Sequence, residues 1–395
     1  GHAVAAVFTW SEQESTLLEA EPTFFGPAES FTDEEGRGID GQVQDVSRFG
    51  PLTLVSGLSY ARADVDGMTG FIFPEGRLGT PASLETRHVT GYAYGTLSLG
   101  GNDRMPGRIQ VPGLGQGGVF GVPITADLTL GLSVDRFRIN QDDGDLDETE
   151  TTVSPKAGLR IDFGSWMTLR GGWMRAVTPD TLVLQRLEPQ TVAGLTQLTD
   201  ARGGVPVTTY GGGIDLRPHP RLELGVEGLE RRLARAPTEG EGRDERQSEL
   251  RFHADAILSD RLTATLGFER IVVNGSLVDF TDLDDYAVTE ATVGMNWFDP
   301  SGFFLTGRVG VAHHRSGIND GNVDGIVVER DTFPVSTVTG GYRLPKGQGV
   351  VSLELRNVTG SDFGFEDRPG LSGSLISEPR YSREFSAVGR VTLSF

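Results

Sequence analysis

Cysteine is missing from all 395 residues, which excludes disulfides, thiol nucleophiles and cysteine-ligated metal centres. Also missing is any run approaching the roughly 18 apolar residues of a transmembrane helix. That excludes helical spans but not membrane strands, whose signal per segment is much weaker. Positive charge is in deficit: 35 Lys and Arg against 55 Asp and Glu give a net charge of −20, the wrong sign for nucleic acid. Hydrophobic residues amount to only 37%, and no stretch carries a 3.6-residue apolar stripe, so almost no helix is expected. The opening GHAVAAVFTW has neither Met nor a charged-then-apolar leader, and reads as the start of a processed chain with an upstream domain outside it.

What is present is alternation. Leu222, Leu224 and Val226 interleave with Arg221, Glu223 and Glu227; Leu262, Ala264, Leu266 and Phe268 interleave with Thr263, Thr265 and Glu269. Val351, Leu353 and Leu355 do the same with Ser352, Glu354 and Arg356. A period of two is the mark of a strand with two unlike faces. Such segments cover 3–12, 37–48, 51–65, 86–100, 122–139, 149–162, 166–178, 204–217, 220–233, 245–258, 261–273, 285–298, 302–315, 327–343, 348–358 and 382–395. Connections alternate short, as at Gly164-Ser165 or Pro218-His219, with long and polar, at 13–36, 66–85, 140–148, 179–203, 234–244, 274–284, 316–326 and 359–381. The Gly-rich stretch 101–121 breaks that rhythm. Bacterial outer-membrane barrels have this build, with short periplasmic turns and longer outer loops. The expected fold is therefore all-β: a transmembrane antiparallel up-and-down β-barrel of about 16 strands (16–18), both termini periplasmic. Residues 1–395 would form a single outer-membrane domain.

The terminal RVTLSF, ending on Phe395, resembles the C-terminal strand signal of Gram-negative outer-membrane proteins. The resemblance implies that Phe395 is the assembly signal read by the barrel assembly machinery. LEPQTVAGLTQLTD (187–200) and YGGGIDLRP (210–218) look like the barrel domain of outer-membrane proteins with upstream tetratricopeptide repeats. LELRNVTGSDFGFED (353–367) is similar to the penultimate strand and loop of such barrels and of TonB-dependent receptors. TonB-dependent receptors have 22 strands and an N-terminal plug, and this chain is too short for both. The repeat-linked family implies porin-like or exporter-like transport, including polysaccharide export, with periplasmic or repeat-domain partners.

A barrel of this size encloses water, with the polar face of each strand inward. Candidate pore-lining residues are Glu223, Glu227, Glu269, Glu290, Glu354, Arg170, Arg251, Arg308 and Arg356. Asp127, Asp135, Asp162, Asp215, Lys156 and Arg217 fall on the same face. These charges can select solutes or can pair across strands and brace the wall. Asp320, Asn322 and Asp324 fit the first half of a calcium loop, but position twelve is Asp331 rather than Glu, and the same residues make ordinary turns. Ca²⁺ is the one cofactor the sequence raises. The acidic outer loops leave outer-membrane lipid and lipopolysaccharide as expected partners.

No hydrolase or phosphate-binding motif is present, and His313 beside Ser316 is the only rim pairing that could be named. The chain is read as a non-enzyme. Its leading role is an outer-membrane channel for hydrophilic solutes, the translocation pore of a polysaccharide exporter being the specific form. The alternatives are a plugged surface-binding or scaffold barrel whose outer loops engage a partner, and a rim-site hydrolase.

Overall fold

Residues that alternate apolar with polar at a period of two can separate their faces only as extended, paired strands. In the computed structural model of the chain they pair from end to end. It describes all residues except 24–25, 74–75, 101–122, 142–145, 179–186, 197–202, 235–244, 275–284, 320–325, 362, 364–380, 382–383 and 394–395. The strands are β1 (His2–Thr23), β2 (Gly26–Phe49), β3 (Leu52–Phe73), β4 (Gly76–Gly100), β5 (Ile124–Gln141), β6 (Leu146–Phe163), β7 (Met167–Val177), β8 (Thr191–Val192) and β9 (Leu195–Thr196). There follow β10 (Pro206–His219), β11 (Leu222–Leu233), β12 (Glu245–Ser259), β13 (Leu262–Asn274), β14 (Asp285–Phe298), β15 (Phe303–Asn319), β16 (Ile326–Arg343), β17 (Gly349–Arg356) and β18 (Ser386–Leu393).

Sixteen of these make one sheet in chain order, while β8 and β9 form a hairpin apart from it. Every neighbour pair in the large sheet is antiparallel, so the meander is up-and-down throughout. Among the described residues the only helical element is the short 3-10 turn Pro345–Gly347.

The sequence assigned 13–36 and 66–85 to loops; the structure instead continues the β1–β2 and β3–β4 hairpins through them. Those strands are 22 to 25 residues long, and the register runs unbroken from His2↔Ser47 to Thr23↔Gly26. Alternation is a signal of unlike faces, and beyond the apolar band lipid no longer imposes it on the strands. The Gly-rich 101–121 stretch lies outside the described residues.

The two faces are inverted relative to a water-soluble protein. Asp40, Gln42, His88, Thr90, Asp135, Ser154, Lys156, Arg231, Glu249 and Glu290 are buried on the concave face. Val4, Phe8, Trp10, Leu58, Leu130, Val153, Leu250, Val293, Val309 and Leu353 are exposed on the convex one, Phe8 to 76%. A continuous exposed apolar surface of this extent is stable only against an apolar medium. Its height fits a bilayer. On β3 the outward set Leu52, Leu54, Leu58 and Tyr60 gives way to Arg62. At about 3.4 Å per residue and a tilt near 40°, that is about 21 Å, close to the roughly 25 Å apolar band of membrane barrels. Exposed Phe49, Trp166, Trp297 and Phe303 line one margin; Trp10, Tyr60 and Trp173 lie towards the other.

The tight turns lie together at one end. Gly50 at φ 58°, Gly164 at φ 57° and Gly302 at φ 106° supply left-handed positions there. In the β14–β15 turn, Asp299 Oδ1 accepts the Ser301 backbone N–H at 2.9 Å and the Ser301 hydroxyl at 2.5 Å. The Ser301 hydroxyl and N–H hold the Asp299 carboxyl below its ordinary 3.8. The turn is therefore supported above the ordinary aspartate range and loses that support only as pH falls through the depressed value. Carboxyl-carbon NMR of Asp299 should show a titration midpoint below 3.8 that Ser301→Ala moves upward; an ordinary midpoint in both would contradict this account.

Candidate functional site

All nine candidate pore-lining residues stand on the concave face, and the structure pairs them. Arg170 on β7 reaches Asp215 on β10 at 3.2 Å and Glu227 on β11 at 2.8 Å. Arg217 holds Glu223 through two bonds of 3.0 Å. Arg251 contacts Glu269 at 2.9 Å and also Glu249. Arg308 pairs with Glu290, and Arg356 with Glu354 at 2.6 Å. The ladder thus neutralises most of the wall charge from within the wall itself.

The larger finding is a segment that the sequence placed in an outer loop. Residues 187–196, from the long β7–β10 connection, fold back against the concave face. Thr191-Val192 and Leu195-Thr196 pair around Ala193 and Gly194, both at positive φ, 52° and 82°. Two successive left-handed residues make the tight turn that matches strand twist. Val192 and Leu195 pack among Tyr92, Tyr94, Met174 and Leu229, side chains from β4, β7 and β11. One short hairpin touches strands so far apart in the order only because the sheet is rolled around it. Gly158 on β6 permits the approach: a Cβ there would lie 2.7 Å from both Val192 Cγ1 and Ala193 Cβ.

Polar bonds fasten the hairpin's leading arm. The Leu187 N–H donates to Gln42 Oε1 at 2.6 Å, and the Leu187 carbonyl accepts from the Gln44 amide. Glu188 Oε1 accepts from the Tyr94 hydroxyl at 2.6 Å and from Lys156 Nζ at 3.0 Å. Lys156 also donates to Ser133 at 2.8 Å and stands 5.2 Å from the Tyr94 ring centre. Its side chain is 0% exposed and that of Glu188 6%, so the two charges are withdrawn together from water. At the tip, Arg170 donates to the Gly194 carbonyl at 2.8 Å. Behind this latch Asp135 accepts from Thr90 at 2.8 Å and lies 3.1 Å from His88 Nε2.

A second inward contact lies beyond β17. Asn357, at φ 47°, turns the chain and bonds both the N–H and the carbonyl of Ser361. Phe363 then stacks on Phe333 at 4.0 Å, and Tyr381 meets Phe333 edge-on at 5.2 Å while donating to Glu290 at 2.6 Å. A cavity of about 500 Å³ opens beside them, lined by Arg308, Arg356, Glu354 and Asn296.

Other sequence candidates are not brought together. His313 is exposed on the convex face and bonds Thr332, while position 316 has the opposite parity on β15. Asp320, Asn322, Asp324 and Phe395 lie outside the described residues. Sequence reasoning missed Glu188; its signal was the apolar Val-Ala-Gly-Leu stretch at 192–195, within a connection that also carries Leu182, Val183 and Leu184.

No family model and no curated protein matches the chain. Solved structures do. The copper transporter OprC aligns at TM-score 0.59 and 13% identity, over 99% of this chain and 63% of its own. The ferric citrate transporter FecA aligns at 0.55 and 11%, over 100% and 59%. The closed form of the ferric-catecholate import receptor Fiu from E. coli K12 aligns at 0.55 and 12%, over 92% and 58%. The fold is that of an outer-membrane β-barrel. With the convex apolar band, this places the barrel in the bacterial outer membrane. The chain spans about three-fifths of the length of those transporters and receptors. At such identities the likeness is one of fold.

Proposed function

We propose that the chain forms an outer-membrane transport barrel of about 16 strands whose lumen is closed at rest by the 187–196 hairpin. The observation that carries this reading is the buried Glu188–Lys156–Tyr94 latch, since a hairpin merely resting in an open pore would leave those charges in water. The reading favours gated import or export over passive diffusion of hydrophilic solutes. The fold neighbours, named as transporters and an import receptor, agree with transport at that coarse level. A non-enzymatic role is in keeping with them. The paired Arg170, Arg251, Arg308 and Arg356 then serve first as wall braces and act on solute only where the hairpin withdraws.

The plugged surface-binding barrel is the second reading, favoured by the inward fold of Phe363 and Tyr381. Polysaccharide export has no residue that supports it beyond the resemblance. Planar-bilayer recording separates the readings. Wild-type protein should show rare, small openings, and replacing 187–196 by a Gly-Ser linker should give stable ohmic steps. Equal large conductance in both would overturn the gate; silence in both would favour the scaffold.

A further inference from the structure

Just beyond the apolar band, a row of arginines crosses the convex face. The register sets Arg175 on β7 beside Thr208 on β10, Thr208 beside Arg232 on β11, and Arg232 beside Arg246 on β12. Strand parity puts them on the side of the exposed Trp173, Ile214, Val226 and Leu250, facing away from the lumen. Like charges set opposite one another destabilise a sheet unless something offsets them.

Here the protein offsets only part. Glu230 pairs with Arg232 at 3.1 Å and with Arg246, leaving three guanidinium groups against one carboxylate. Among the described residues Arg175 has no ion pair, and its Nε is buried with no hydrogen-bond partner. A comparable row, Arg62–Arg87–Arg138 on β3 to β5, behaves differently. Asp64, Glu85 and Asp147 bond its three members, so it needs nothing further.

We propose that the Arg175–Arg232–Arg246 row binds the phosphates of an anionic glycolipid in the adjoining leaflet. Arginine presents a planar fork suited to phosphate oxygens. Three strand steps of about 4.8 Å give a row about 14 Å long, matching a headgroup with phosphates at both ends of two sugar rings. Tyr210, under the Arg232 guanidinium at 5.5 Å, completes an interfacial edge where acyl chains meet headgroups. The long-loop end of the barrel would then face the leaflet that carries this lipid.

The test uses the full chain, purified in detergent and stripped of lipid, with bound lipid counted by native mass spectrometry. Bisphosphorylated lipid A should bind one to one, and Arg175→Gln/Arg232→Gln/Arg246→Gln should weaken it at least about tenfold. Arg62→Gln/Arg87→Gln/Arg138→Gln should change it less than about twofold, since that row is already neutralised. Retention of heat-modifiable mobility certifies that each variant is folded. Equal loss in both triple variants would mean diffuse charge attraction and overturn the site. Phosphatidylglycerol or inorganic phosphate competing as well as lipid A would overturn the assigned ligand, as would undiminished binding by the first variant.

Discussion

Replacing Lys156 by Met should convert a mostly closed barrel into one that conducts steadily. The substitution keeps the length of the side chain and removes its charge, so buried Glu188 loses the ammonium that stood 3.0 Å away and keeps the Tyr94 hydroxyl. Removing one member of a buried pair typically costs about 3–5 kcal/mol. The hairpin's apolar hold is small, being chiefly Val192 and Leu195, each worth roughly 1.5–3 kcal/mol when fully buried. The two terms are of similar size, so losing the ion pair is enough to shift the hairpin towards its released state. Open probability in single-channel records should rise by an order of magnitude or more, and Lys156→Met/Glu188→Gln should recover part of the closed behaviour. An unchanged open probability in Lys156→Met would show that the latch does not hold the gate.

Phe333→Ala should be the most destabilising single substitution on the opposite wall. Phe333 is 2% exposed and joins Val288, Ala312, Tyr286, Phe363 and Tyr381 in one cluster. Truncating a core phenylalanine costs about 3–5 kcal/mol, and the stacked Phe363 loses its only parallel ring partner among the described residues. The urea midpoint in detergent should fall clearly. Tyr381→Phe, which keeps the ring and removes the hydroxyl's bond to Glu290, should cost a smaller ~1–3 kcal/mol. If Phe333→Ala left the midpoint unmoved, residues 357–363 would not be held by this cluster.

Fold class was legible because the membrane imposes a strict rule on each strand. Where lipid covers one face and the lumen the other, every second residue must be apolar, and Leu262 to Phe268 or Val351 to Leu355 obey it. Above the band that rule lapses. Glu12 to Thr23 pair with Gly26 to Arg37 as β1 and β2 without that rule, and so read as a loop. The wall charges were legible as inward, again from parity. That they could pair and brace the wall was legible too; which partners meet was not, because Arg170 meets Glu227 across strands separated by 57 positions in the chain. The hairpin was the hardest to see. Its anchor Glu188 carries no mark of its own, and only the apolar 192–195 stretch that follows sets this connection apart from one bound for solvent.

The unequal strand lengths have a mechanical consequence. β1 to β4 run to 22–25 residues, whereas β17 and β18 have eight each. Beyond the apolar band, the first two hairpins continue to rise as paired strands. Amides near Glu14 and Glu35 should trade their protons for deuterium far sooner than those near Val4 and Asp45, though all belong to one pair of strands. On that account the hairpin is held more firmly at Val4 and Asp45 than at Glu14 and Glu35, and an arriving macromolecule would meet the looser part first.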